Sequence, residues 1–265
     1  MNARALLIRG LIAGLIAGFA TFFVAYVVGE PQVDTAISIE EAGSAAEPPA
    51  AEHTGAEGRH THSEEEAGTE VSRSTQKTWG LLTGTLTVSV AMGGLVALIA
   101  AGTMGRLGRL QPGQSTALVT LIGFVSFALV PFLKYPATPP AVGNAETIGS
   151  RTGLYFGFLL VSIVAAVAST YGAVRLRERL GNYGAVVAAI AAYLLVVSVA
   201  GQLFATVNEV GDFPADTLWF FRRAALLTLA TMWGVIGVVL TGLVSRLYGQ
   251  QVRPTPARPL VPAAG

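Results

Sequence analysis

Residues 5–28 read Ala5-Leu-Leu-Ile-Arg9-Gly10-Leu-Ile-Ala-Gly14-Leu-Ile-Ala-Gly18-Phe-Ala-Thr-Phe-Phe-Val-Ala-Tyr-Val-Val28. A run of about 20 apolar residues is long enough to cross a hydrocarbon core of about 30 Å as a helix. It lacks the alternation of a barrel strand, and a lone open strand leaves its backbone unsatisfied in lipid. Arg4 and Arg9 resemble the charged start of a signal peptide. The apolar core is longer than the usual stretch of about 7–15 residues, and no small-x-small site precedes Glu30. The segment therefore reads as a retained helix. Gly10, Gly14 and Gly18 share one face, and Gly80 and Gly84 repeat the spacing further on. Such stripes let helix backbones approach closely in lipid.

Five more segments of this kind follow: Trp79–Ala101, Ser115–Leu133, Gly153–Val174, Gly184–Val207 and Ala224–Leu247. The chain is 52% hydrophobic and only 12% charged, against about 25% charged in soluble domains. The expected fold is an all-α, polytopic membrane protein with six transmembrane helices. Four regions are expected: a first transmembrane helix over 1–29, a flexible acidic and histidine-containing outer loop over 30–78, a five-helix region over 79–247, and a disordered cytoplasmic tail over 248–265.

The loops assign sides. With the N-terminus inside, Arg4, Arg9, Arg106, Arg109, Arg175, Arg177, Arg179, Arg246, Arg253 and Arg258 are all cytoplasmic, with Glu178 the sole acid among them. Arginine concentrated near the inner helix ends is what the positive-inside rule expects. Arg222 and Arg223 are the main exceptions. Six spans place both termini in the cytoplasm of a cell whose plasma or inner membrane holds the chain.

Cysteine is absent, which removes disulfides, thiolate metal sites and iron–sulfur clusters. No basic patch with interleaved aromatics is present, which argues against nucleic acid as a partner. There is no Walker A pattern, no His-Glu-x-x-His and no Ser/His/Asp set at one membrane depth. An ATPase is excluded on this reading, and an enzyme is not expected. No resident cofactor is called for.

The three histidines, His53, His60 and His62, all fall in the acidic loop, beside Glu64, Glu65 and Glu66. Imidazole suits divalent cobalt, nickel, zinc and copper, and carboxylates add charge. The spacing matches no structural zinc motif. Two readings stand: a solvated acidic loop with incidental histidines, or an exchangeable capture site for a divalent cation.

Polar residues also collect at the outer helix ends: Glu30, Asn208, Glu209, Asp216 and Arg222, with Lys134 and Arg151 near the proline-rich connection after the third span. Polar groups near membrane depth are costly and usually face a bundle interior or cavity. Structural ion pairing and a polar vestibule that meets substrate are the two readings, with Lys134, Arg151 and Arg222 holding the acids. Lys134 alternatively snorkels to the interface or pairs with Glu146. Trp219 reads as an interfacial anchor.

Several of these stretches carry a family resemblance. They are Glu30-Pro31 with Asp34-Thr-Ala-Ile and Glu40-Glu41, then Pro131-Phe-Leu-Lys-Tyr-Pro-Ala-Thr-Pro-Pro-Ala-Val-Gly143 with Thr147-Ile-Gly-x-Arg151. Asn208-Glu-Val-x-x-Phe213-Pro and Leu218-Trp219-x-Phe-Arg222 complete the set. With the glycine-rich first helix and the His/Glu loop, they resemble the CbtA family of predicted cobalt transporter subunits. The resemblance implies an integral membrane protein of five or six spans, linked with cobalamin synthesis. It also implies a small single-span, histidine-bearing partner, CbtB. Import of a divalent transition metal, most simply cobalt, is the expected function. The alternative is a non-conducting accessory or scaffold subunit that binds metal and docks a partner.

Overall fold

A helix that is apolar on every side buries its surface only against lipid or other helices. The computed structural model describes residues 3–46 and 71–251, and every regular element among them is helical. Five helices are long and apolar enough to cross a membrane. They are α1 (Ala3–Ser44), α2 (Arg73–Thr103), α3 (Pro112–Lys134), α4 (Ala145–Leu203) and α5 (Ala215–Gly249). The protein is a multi-pass membrane protein. Leu15, Ile16 and Phe23 on α1, Val164 and Leu195 on α4 and Val238 on α5 are exposed along its flanks, where only hydrocarbon suits them.

Six spans are expected from the sequence, and α4 accounts for two of them. At about 1.5 Å per residue a straight helix of that length reaches almost 90 Å, three times the hydrocarbon core. It is not straight. Gly181 takes φ 69° and ψ 172°, a left-handed turn that glycine enters without a Cβ penalty. The two arms then run back alongside each other. Ser162 and Tyr193 share a buried hydrogen bond of 2.9 Å between their hydroxyls, and Phe158 meets Phe204 edge-on at 5.6 Å.

The glycine stripe of α1 faces α2 in antiparallel register. Gly10 lies against Gly93 and Ala97, Gly14 against Ser89 and Val90, and Gly18 against Leu86. A Cβ on Gly14 falls 2.7 Å from the Val90 Cα, and one on Gly18 falls 2.9 Å from the Leu86 Cα. The two backbones thus touch directly. Gly80 and Gly84 do not take part: no neighbouring helix lies within reach of a Cβ at either position. α5 packs along α1 and α3, with Ile236, Leu240 and Val244 fully buried. Trp233 fills the upper seam between Phe124 and Phe127, at ring distances of 6.4 and 6.2 Å, and rests on Gly123.

Two helices run past prolines, one of them beyond its expected end. The expected loop begins at Glu30, yet α1 continues through Pro31. A π-helical turn over Ala25–Gly29 precedes it, and the Glu30 N–H donates to the Ala25 carbonyl five residues back. Likewise a π turn over Phe124–Leu129 precedes Pro131, and α3 stays helical to Lys134. A π turn widens the ladder, so the missing proline N–H need not end the helix. At its start, α2 contains a third such turn, Gln76–Gly80, and reaches back to Arg73. Helix thus covers both margins of the expected 30–78 loop. Its middle, with His53, His60, His62, Glu64, Glu65 and Glu66, lies outside the described residues. The last helix extends to Gln251, into the expected 248–265 tail, whose remainder is also outside them.

The α1 extension stands on the vestibule end of the bundle. Ala36 is buried with Phe213 and Leu218, which fixes α1 against the connector before α5. Arg73 at the head of α2 pairs with Glu30 and, at 3.0 Å, with Asp34. Lys77 lies 3.6 Å from Asp34.

Candidate functional site

At this same end, the helix termini enclose a cavity of about 1090 Å³. Its wall is built from Gly29 and Val33 of α1, the end of α3, the start of α4, the connector between α4 and α5, and the first turns of α5. Five of the seven vestibule residues line it: Lys134, Arg151, Asn208, Glu209 and Arg222. A second, more open hollow of about 600 Å³ lies between the α1 extension and the connector, lined by Glu40, Asn144 and Asp212 among others. Glu209 and Val210 border both hollows.

Glu209 is the carboxylate of the main cavity, and its position is over-determined. One oxygen, Oε2, accepts from the Asn144 backbone N–H and from the Thr147 hydroxyl, both at 2.9 Å. The Arg151 Nε lies 3.4 Å from that oxygen, and Arg151 also donates to the Asn144 carbonyl at 3.0 Å. The Asn144 N–H, then the Thr147 hydroxyl, hold the Glu209 carboxyl below its ordinary range. Partial desolvation opposes them and the Arg151 charge assists. Gly143 makes room for the guanidinium. It has φ 109°, and a Cβ there falls 2.9 Å from the Arg151 Cζ.

The cations divide into three situations. Arg151 is paired with Glu209. Lys134 makes no ion pair among the described residues: its Nζ donates to the carbonyls of Gly201 and Phe204 at 2.7 and 3.1 Å. These are free carbonyls at the end of α4, where a cation also complements the helix dipole. Beside it the Tyr135 hydroxyl donates to the Ala205 carbonyl at 2.8 Å. Together they clasp the end of α3 to the end of α4. Arg222 has no ionic partner among the described residues, and its buried Nε has no hydrogen-bond acceptor.

The remaining two vestibule residues lie elsewhere. Glu30 is taken up by Arg73, so its partner is the head of α2 and not a cavity cation. Asp216 is exposed at the first turn of α5, where its carboxylate accepts from the Thr217 N–H at 2.8 Å. No set of three metal-ligating side chains is assembled among the described residues.

Sequence reasoning missed Asn144 and Thr147 as the groups that hold Glu209. A signal was present. Asn144-Ala-Glu-Thr147 has the form of a helix cap, and the Asn144 side chain does accept from the Glu146 N–H at 3.0 Å. That cap turns the Asn144 N–H toward Glu209. Tyr135 was passed over inside the proline-rich connection, and Arg73 and Lys77 were not singled out at all.

No curated protein and no solved structure matches this chain. The model of one family, described as probable cobalt transporter subunit (CbtA), matches residues 3–245. With nearly every residue of the bundle inside that match, the chain belongs to the CbtA family of probable cobalt transporter subunits.

Proposed function

We propose that this subunit imports a divalent transition-metal cation, cobalt before other metals, across the cell membrane for cobalamin synthesis. One observation carries the reading: Glu209, the single carboxylate among the described residues that line the main cavity, lies on the wall shared with the open hollow. A cation that enters beside Glu40 and Asp212 meets Glu209 before anything else anionic in the main cavity. Arg151 occupies that carboxylate at rest. An incoming divalent ion competes with the guanidinium for the same oxygen, while Asn144 and Thr147 keep it in place.

On this reading the acidic loop is outside the cell and both termini are cytoplasmic. His53, His60 and His62, with Glu64, Glu65 and Glu66, raise the local concentration of metal ahead of the hollow. Asn208 adds a neutral oxygen beside Glu209. A small single-span, histidine-bearing subunit of the CbtB kind is the fitting partner.

Purified protein in liposomes with an entrapped cobalt-sensitive dye tests the assignment. Glu209→Gln keeps the shape and removes the charge, so it lowers flux even at saturating cobalt. Glu146→Gln, on an exposed side chain nearby, leaves flux unchanged. Equal flux through both variants removes Glu209 from the path. Binding without flux by the unaltered chain assigns conduction to a partner subunit.

A further inference from the structure

The described lining of the main cavity carries three cations, Lys134, Arg151 and Arg222, against one carboxylate, and that carboxylate is already paired with Arg151. An arginine at the edge of the hydrocarbon without an anion is costly. Lys134 has spent two of its three N–H donors on carbonyls, which leaves one. The Nε atoms of Arg151 and Arg222 are both buried without a hydrogen-bond acceptor, but Arg151 has the Glu209 charge beside it, whereas Arg222 has no ionic partner among the described residues, and one donor of Lys134 is left over.

Part of the cavity lining is apolar and exposed. Leu133, Ile148 and Phe156 belong to it and are 69%, 56% and 59% exposed. Trp219, 65% exposed one turn before Arg222, marks the interfacial level where indole rings settle. Arg222 thus sits about one turn below the interface, in a hollow whose lining includes exposed apolar side chains.

We propose that this cavity binds an anionic phospholipid, with its phosphate on the guanidinium of Arg222 and its acyl chains along Leu133, Ile148 and Phe156. Guanidinium and phosphate form parallel, charge-assisted hydrogen bonds, which satisfies the orphaned Nε. The free Lys134 donor adds a second point of attachment. A soluble anion satisfies the arginine equally well but leaves the exposed apolar lining without an occupant, so the lipid accounts for both features.

The test uses the full chain, purified in mild detergent without metal, so its result is independent of transport. Native mass spectrometry reads lipid retention during titration with phosphatidylglycerol or phosphatidylcholine, and thermal unfolding is followed in parallel. The unaltered chain retains phosphatidylglycerol preferentially and is stabilised by it. Arg222→Gln weakens that retention about tenfold, the loss of one charge-assisted contact. Arg223→Gln, whose guanidinium lies over the Phe220 ring at 4.9 Å, leaves it unchanged. Three results overturn the proposal: no preference for the anionic lipid in the unaltered chain, equal retention by Arg222→Gln, or displacement of the lipid by inorganic phosphate. The first and third need no variant, so a poorly folding Arg222→Gln does not spare the proposal.

Discussion

Replacing Gly14 by alanine inserts one methyl group where α1 and α2 touch backbone to backbone. The new Cβ falls 2.7 Å from the Val90 Cα and 3.0 Å from the Ser89 carbonyl carbon, whereas ordinary contact begins at 3.4 Å. The shortfall is at least about 0.7 Å, and both atoms belong to a helix backbone, so no side chain can swing aside. The helices must separate along the seam, at a typical overpacking cost of about 1–3 kcal/mol. Alanine also gains up to about 1 kcal/mol over glycine in helix propensity, which masks part of the loss. Gly84→Ala supplies the control, because a Cβ there meets nothing within 4 Å. The difference between the two variants isolates the close-approach penalty. Unfolding in mixed micelles by added dodecyl sulfate, followed by far-ultraviolet circular dichroism, measures it. Gly10→Ala and Gly93→Ala open one shared gap, since each glycine lies on the other. Their combined cost is expected to fall short of the sum. If Gly14→Ala and Gly84→Ala unfold within about 0.5 kcal/mol of each other, backbone contact along α1 is not what holds these helices.

Lys134→Met removes the donor to the Gly201 and Phe204 carbonyls and lowers stability by about 1.5–3 kcal/mol; an unchanged unfolding midpoint refutes the clasp. Glu209 has its folded pKa depressed, so its contribution to stability is complete above the ordinary carboxylate value of 4.5 and is lost as pH falls through the lower folded value. In infrared difference spectra between the unaltered chain and Glu209→Gln, the ionised carboxylate band persists at that ordinary value and disappears only below it; protonation above it contradicts the Asn144 and Thr147 contacts. For sidedness, the absence of native cysteine gives a clean background for single-cysteine labelling. Ala145→Cys is expected to react with an impermeant maleimide in intact cells and Asn182→Cys only after lysis; the reverse pattern inverts the proposed orientation.

The spans are legible because uniform apolarity over a membrane's width is a property of each segment alone. The α4 hairpin was legible for the same reason: Arg175, Arg177, Glu178 and Arg179 interrupt two apolar runs just before the Gly181 turn. The helix ends are another matter. The first helix was expected to end before Pro31, but a preceding π turn carries it on; a π turn likewise precedes Pro131, inside the expected third span. Whether the chain makes that turn depends on what the extended helix packs against, such as Ala36 on Phe213 and Leu218. The stripe of Gly10, Gly14 and Gly18 announced a close helix contact without naming its partner. Ser89, Val90 and Gly93 are that partner, and the equally spaced Gly80 and Gly84 face no neighbouring helix among the described residues.

At the cavity, the residue types were legible and their pairings were not. Several acids and cations stand at the same depth, and composition cannot choose among them. Arg73 claims Glu30, so one expected oxygen leaves the vestibule, and Lys134 turns to carbonyls in place of an acid. Among the described residues, Arg151 then remains the one cation on Glu209, and Arg222 is left without an anionic partner. This distribution has an electrostatic consequence for the proposed transport. A cavity with surplus positive charge repels a divalent cation, and pairing with Arg151 spends the one carboxylate that attracts it. A phosphate on Arg222 cancels part of that surplus without touching Glu209. Lipid occupancy and metal entry are therefore coupled through the field of the cavity, although the two ligands share no contact. Cobalt flux in liposomes of zwitterionic lipid should rise when anionic phospholipid is added, and the rise should vanish in Arg222→Gln. An equal rise in that variant places the lipid effect at the membrane surface, where a negative potential concentrates cations for any transporter.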